Sequence, residues 1–191
     1  MSIRAIIFDL YGVLGLNGWQ SFKAHHFSTR PEEWERLRAL GQRVDAGLED
    51  QDTFVAAVAR VTGEEPAAVR YQFEHTTLNS ELLDYISDVL KPDYKIGLLS
   101  NASYDVFDSL FSHDQLELFD EAMSSFHVGL TKPNPRMFRL MCERLGVDPT
   151  QAIMIDDQQR HIDAAGKMGL KTVLYTSVEQ TKRDVNRLLS S

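Results

Sequence analysis

Four places in this chain carry groups able to do chemistry. Asp9 follows directly on the apolar run Ile3, Ala5, Ile6, Ile7 and Phe8, with Gly12 three residues on. Ser100 and Asn101 end the run YKIGLLSN, and Asp156 and Asp157 end the run IMIDD. Lys132 sits in the rigid turn Thr131-Lys132-Pro133-Asn134-Pro135. Three carboxylates drawn into one cleft repel one another and cannot all stay ionised without compensation. A hard divalent cation with oxygen ligands, Mg2+ above all, is the usual compensation. Lys132 adds a fixed positive charge and Ser100 a hydroxyl donor, which together make a nest for a phosphoryl group or another small anion. The plainer reading of the same residues is two helix-capping acids and a solvated loop lysine. Three apolar runs that all end in polar groups weigh against it.

The elements that must position these groups are short buried strands. Residues 3–8, 94–100, 152–155 and 172–175 are apolar runs of strand length, and helices separate those from 94 onward. Strand–helix alternation with short links predicts a doubly wound, Rossmann-like α/β fold with a parallel sheet, whose chemistry lies beyond the carboxyl ends of the strands. A weaker edge strand is expected near 121–125. Residues 16–76 read differently, as helices with no convincing strand. Pro31 opens one, with Trp34, Leu37, Leu40 and Val44 at helical spacing; Asp50 or Asp52 caps the next; Pro66 starts a third. A further helix over 79–90 leads back. The expected division is a core of residues 1–14 and 91–191 with an all-helical cap, 15–90, inserted between.

Composition narrows the partners. The 191 residues are 43% hydrophobic and 25% charged, with a net charge of -8. That balance suits a globular protein and argues against nucleic acid as a partner, while leaving room for a small anionic metabolite in a locally positive pocket. No run of 18 apolar residues is present, so no membrane span is expected. The start of the chain lacks the segments of a signal peptide, so a cytoplasmic location is expected. Cys142 is the single cysteine, which excludes an intrachain disulfide and fits a buried structural thiol. His25, His26 and His161 read as surface or packing residues.

FDLYGVL at 8–14, LLSN at 98–101, TKPNPRMF at 131–138 and IDDQQRHIDAAGKMG, ending at Gly169, resemble the four ordered motifs of the haloacid dehalogenase superfamily. The resemblance implies a Rossmann-like core with a helical cap of the first type, and a hydrolase that works through an aspartyl intermediate. Matched by position, Asp9 is then the nucleophile, Ser100 the anion-binding hydroxyl, and Lys132 the charge that steadies nucleophile and transferred group. Asn101 adjoins the anion site. Asp156 is the implied Mg2+ ligand, with Asp157 ligating directly or through water and the Tyr11 backbone carbonyl also reaching the metal.

Tyr11 departs from the phosphatase pattern, which has a second aspartate there to protonate the leaving group and later activate water. A tyrosine, with a reference pKa near 10, has no carboxylate for either task. Dehalogenases of the superfamily do carry tyrosine at this position and work without metal, because halide leaves as an anion. They lack the adjacent pair Asp156-Asp157, however. A dehalogenase also needs a cap arginine for the substrate carboxylate, with Arg36, Arg38 and Arg43 available, and an aromatic cradle to which Phe22, Trp34 and Tyr71 are candidates. The expectation is therefore a Mg2+-dependent hydrolase of small phosphorylated metabolites with weakened acid catalysis. The alternatives are a metal-independent 2-haloacid dehalogenase and a weak or inactive anion-binding protein.

Overall fold

Ala5–Phe8 forms strand β1, and all four of its side chains are buried because the sheet is covered on both faces. The structure, a computed structural model, describes residues 2–102 and 104–190. In chain order the other strands are β2 (Gly15–Leu16), β3 (Thr77–Leu78), β4 (Lys95–Ser100), β5 (Glu121–Ser124), β6 (Ala152–Asp156) and β7 (Lys171–Leu174). The helices are α1 (Trp19–Phe27), α2 (Pro31–Asp45), α3 (Gln51–Thr62), α4 (Pro66–Glu74), α5 (Ser80–Tyr85), α6 (Phe107–Leu110), α7 (His113–Leu116), α8 (Ser125–Val128), α9 (Pro135–Leu145), α10 (Gln159–Lys167) and α11 (Val178–Leu189).

The main sheet runs β5-β4-β1-β6-β7, every pair parallel. Strand alternation sorts its side chains onto two faces. Ile6, Phe8, Ile96, Leu98, Ile153 and Ile155 pack into one cluster with Leu82, Ile86 and Val185. Ala5, Ile7, Leu99, Ala152 and Met154 face the other way, onto Met137, Met141 and Leu145 of α9 and Ala165 of α10. Gly97 permits this close approach, since a Cβ there would meet Leu145 and Met141 at 3.1 Å. The expected doubly wound core is what the chain forms.

Helices α1 to α4 surround a separate cluster, with Phe27, Leu37, Val44, Phe54, Val58 and Val69 buried at its centre. Asp50 caps α3 by accepting from the Thr53 N–H at 2.6 Å, and prolines occupy the first turns of α2 and α4. The sequence suggests an all-helical insert, and the insert is helical apart from β2 and β3, which pair antiparallel at its two ends. Two residues a side is too short for a periodic signal. Residues 79–90 pack with the sheet rather than with α1–α4, since Leu82, Leu83, Tyr85, Ile86 and Leu90 all join its first cluster. Asn79 marks the return: its side chain caps α5 and donates to Val13 O at 3.2 Å and Tyr175 Oη at 3.0 Å. Among the described residues no helix is long and apolar enough to cross a membrane.

Candidate active site

β1 is the central strand, with β4 and β6 on either side, so the three polar strand ends meet at one edge. Phe8 pairs with Ile155 of β6, and the Asp9 N–H donates to Ile155 O at 2.9 Å, which sets Asp9 beside Asp156. Lys132 lies between them. Its Nζ is 2.6 Å from Asp9 Oδ1 and 2.8 Å from Asp156 Oδ2, with all three side chains buried. Asn101 fixes the lysine's main chain by accepting from its N–H at 2.8 Å and donating to its carbonyl at 3.0 Å. Burial alone would depress the ammonium, but Asp156 and Asp9 outweigh it and raise its pKa.

Burial and the nearby Asp156 carboxylate push Asp9 well above the usual range, against the pull of Lys132. Its Oδ1 also accepts from the Leu10 N–H at 2.7 Å. Oδ1 is therefore held on two sides, while Oδ2 makes no hydrogen bond among the described residues. Asp156 is more completely occupied. Besides Lys132 it accepts from the Gln158 N–H at 2.9 Å, and His161 Nδ1 lies 3.0 Å from each of its oxygens. Burial raises the Asp156 pKa, but Lys132 and His161 overcome this and hold it below the usual value. Burial lowers His161 to about 4, so its imidazole is neutral near pH 7 and Nδ1 donates to the carboxylate.

His161 is the residue that the sequence reading misassigns. It is buried within the site, not a surface or incidental packing residue. The available signal was its position five residues after Asp156, where the first turn of α10 brings a side chain back over the strand end.

Asp157 differs from Asp156. Its Oδ2 accepts from Gln20 Nε2 of the insert, and its Oδ1 is buried without a hydrogen-bond partner. Burial and Asp156 push it up to about 6. Gly12 passes close by with φ +89°, and a Cβ there would stand 2.5 Å from Asp157 Oδ2, so backbone and space both require glycine. The Tyr11 carbonyl accepts no backbone hydrogen bond among the described residues. Its phenol is largely buried, and burial, Tyr104, Asp45 and Asp9 all raise its pKa, so it stays neutral.

Asp9, Tyr11, Asn101 and Lys132 line one cavity of ≈ 230 Å³ beneath the helical insert. Ser100 does not line it: the side chain is fully buried and its hydroxyl donates to Asn101 O at 3.3 Å. The insert contributes Gln20, Lys23, Trp34 and Asp45, whose carboxyl burial pushes up to about 6. Arg38 also reaches the cavity but donates to Glu35, while Arg43 pairs with Glu49 at 3.0 Å and Arg36 is exposed. Phe22 lies in the insert's own cluster, and Tyr71 is exposed. Gln20 and Arg160, also in the cavity wall, gave no signal in the sequence.

Asp9, Asp156 and His161 bring ligand atoms within 4.8 Å of one another, but the Lys132 ammonium already bridges the two carboxylates. Oxygens of the type a hard cation takes are also left without a hydrogen bond at this edge, the buried Asp157 Oδ1 and the Tyr11 carbonyl among them. If all three carboxyls ionise, the Lys132 ammonium leaves two negative charges at the strand ends, which one divalent cation would balance.

The family model for haloacid dehalogenase-like hydrolases matches residues 3–169. The chain belongs to the haloacid dehalogenase-like hydrolases. Within that family it is 29% identical to a Mycobacterium tuberculosis phosphatase, over 100% of this chain and 95% of that one. It is 26% identical to (S)-2-haloacid dehalogenase 1 of a Pseudomonas species, over 93% of this hydrolase and 86% of the relative. A Bacteroides thetaiotaomicron family enzyme, solved with magnesium and inorganic phosphate, shares the fold with TM-score 0.64 at 22% identity, over 92% of this chain and 96% of that one. This hydrolase spans 30% and 39% of two longer curated relatives, and 42% of it matches 35% of a third.

Proposed function

We propose that this hydrolase is a Mg2+-dependent phosphatase of small phosphorylated metabolites, acting through an aspartyl phosphate on Asp9. The observation that carries the reading is Asp157: a carboxylate oxygen buried without a hydrogen-bond partner, next to two more carboxylates already bridged by Lys132. A metal-free dehalogenase has no use for that electrostatic cost. In this reading Asp9, Asp157 and the Tyr11 carbonyl would hold the cation, and Asp156 would serve to place Lys132. The cation supplies charge neutralisation, allowing an anionic nucleophile to approach an anionic phosphoryl group. The Mg2+ and phosphate held by the Bacteroides relative, and the activity named for the Mycobacterium one, support the reading. The ribbon of β2 and β3 is taken as the stem of the cap, so that residues 79–90 belong with the core.

Asp9 Oδ2 forms the bond to phosphorus while the bond to the leaving oxygen breaks, its electron pair departing with that oxygen. Lys132, holding Oδ1, keeps the carboxylate aimed and shares its charge. Water then attacks phosphorus as the Asp9 Oδ2–phosphorus bond breaks, its electron pair returning to the Asp9 carboxylate, and the water's protons leave with the inorganic phosphate and to solvent. A neutral phenol at Tyr11 supplies neither a strong acid nor a base. Leaving groups that depart without a proton, such as acyl and aryl oxyanions, are therefore favoured over sugar alcohols by about 10²- to 10⁴-fold.

Tyr11 favours a second reading, the 2-haloacid dehalogenase, in which Asp9 attacks carbon and halide needs no acid. Calorimetric titration with Mg2+ separates the two. The phosphatase reading expects saturable binding by the wild type and at least about tenfold weaker binding by Asp157→Asn. Equal, negligible heats from both proteins would remove the metal and favour the dehalogenase.

A further inference from the structure

Besides Arg38, which pairs with Glu35, the cavity contains two cations that the phosphoryl-transfer apparatus does not use. Lys23, on α1, forms no hydrogen bond or ion pair among the described residues, and its Nζ lies 5.4 Å from the centre of the Trp34 ring. Burial holds its pKa below the ordinary lysine value, opposed by Asp157 and reinforced by Arg160. Arg160, in the first turn of α10, donates from Nε to Gln158 Oε1 at 2.9 Å, and its Nη1 is buried with no acceptor. Burial and Arg38 depress this guanidinium as well, while Asp45, Asp156 and Glu35 pull the other way without coming into ion-pair contact.

Several arginines on the insert do have partners: Arg30 with Glu33, Arg38 with Glu35, Arg43 with Glu49 and Arg70 with Asp52. Leaving two partly desolvated cations unpaired is costly, in a chain of net charge -8 with acids to spare. The cost is offset when a ligand brings the countercharge. Part of the remaining wall is aromatic: Trp19, Trp34, Phe54 and Phe73 line the same cavity, and the Trp19 ring centre lies within 5.9 Å of each of the other three.

We propose that Lys23 and Arg160 form a second anion subsite, and that the substrate is a small phosphomonoester bearing a second acidic group on an apolar spacer. The proposal deepens the phosphatase reading and rests on it for the identity of the first group. Carboxylate and phosphate share the required chemistry, since a guanidinium and an ammonium bind either through charge-assisted hydrogen bonds. An aromatic wall selects a flat or aliphatic spacer over a polyhydroxylated one.

Three aryl phosphates test the subsite: 4-carboxyphenyl phosphate, 1,4-phenylene bisphosphate, and the uncharged control 4-carbamoylphenyl phosphate. In wild type, kcat/KM for at least one acid-bearing compound should exceed the control by about tenfold or more, and the ratio should fall towards one in both Lys23→Met and Arg160→Gln. Which acid gains more identifies the second group. A wild-type ratio near one, or a preference that survives both substitutions, overturns the proposal. Calorimetric binding of the same compounds to Asp9→Asn reads the subsite without turnover. Selective binding with no turnover by wild type would leave the subsite standing and remove the phosphatase reading. Turnover without selectivity would do the reverse.

Discussion

Lys132 shows how much one side chain can settle in this molecule. Its ammonium, 2.6 Å from Asp9 and 2.8 Å from Asp156, is the countercharge that lets two buried carboxylates share the end of the sheet. Lys132→Met keeps the length and removes the charge. Breaking a buried ion pair from one side costs about 3–5 kcal/mol, so urea unfolding near pH 7 should show a loss of that order. A loss below about 1 kcal/mol would mean that the cluster does not depend on the lysine. Asp9, Lys132 and Asp156 were legible in the sequence because each ends or follows a recognisable apolar run or turn. His161, Gln20 and Arg160 were not. Their roles come from packing: the pitch of α10 puts His161 over Asp156, and the docking of α1 brings Gln20 to Asp157. Asp156 and Asp157 were read together, yet folding gives them opposite surroundings, one saturated and one with an orphaned oxygen.

Among the elements, buried strands and proline-led helices were plain in the sequence, because hydrophobic period and capping chemistry are local properties. The short ribbon of β2 and β3 and the return of residues 79–90 to the sheet were not, because pairing and docking are non-local. The edge strand β5 illustrates what holds a weak element. Asp120, just before it, accepts from the Ile96 N–H at 2.7 Å and from Lys91 Nζ at 2.9 Å, tying β5 to the start of β4. Burial raises the Asp120 pKa, but these donors outweigh it and the carboxyl is held below its usual value. A depressed acid contributes stability that is full above the unfolded pKa near 4 and is lost as pH falls through the folded value. Asp120→Asn should therefore cost about 1 kcal/mol near pH 7, with the gap from wild type narrowing by about pH 3. Urea unfolding at the two pH values checks this, and a gap of unchanged size would show that the ionised form contributes nothing.

At the scale of the whole molecule, the insert lies over the carboxyl edge of the sheet, and hydrogen bonds among the described residues tie it there. Gln20 donates to Asp157, and the Ser125 hydroxyl donates to Asp45 O at 2.9 Å. A covered cavity excludes bulk water, which strengthens the electrostatics inside and favours small substrates. The central claim is that this covered site performs metal-assisted phosphoryl transfer on Asp9 rather than halide displacement. The most direct measurement follows phosphate release from p-nitrophenyl phosphate and chloride release from chiral 2-chloropropionate, by wild type and Asp9→Asn, in Mg2+ and in EDTA. The account predicts phosphate release that requires Mg2+ and vanishes in Asp9→Asn, with no chloride released. Chloride release that persists in EDTA and is lost in Asp9→Asn, with every phosphate left intact, would contradict it.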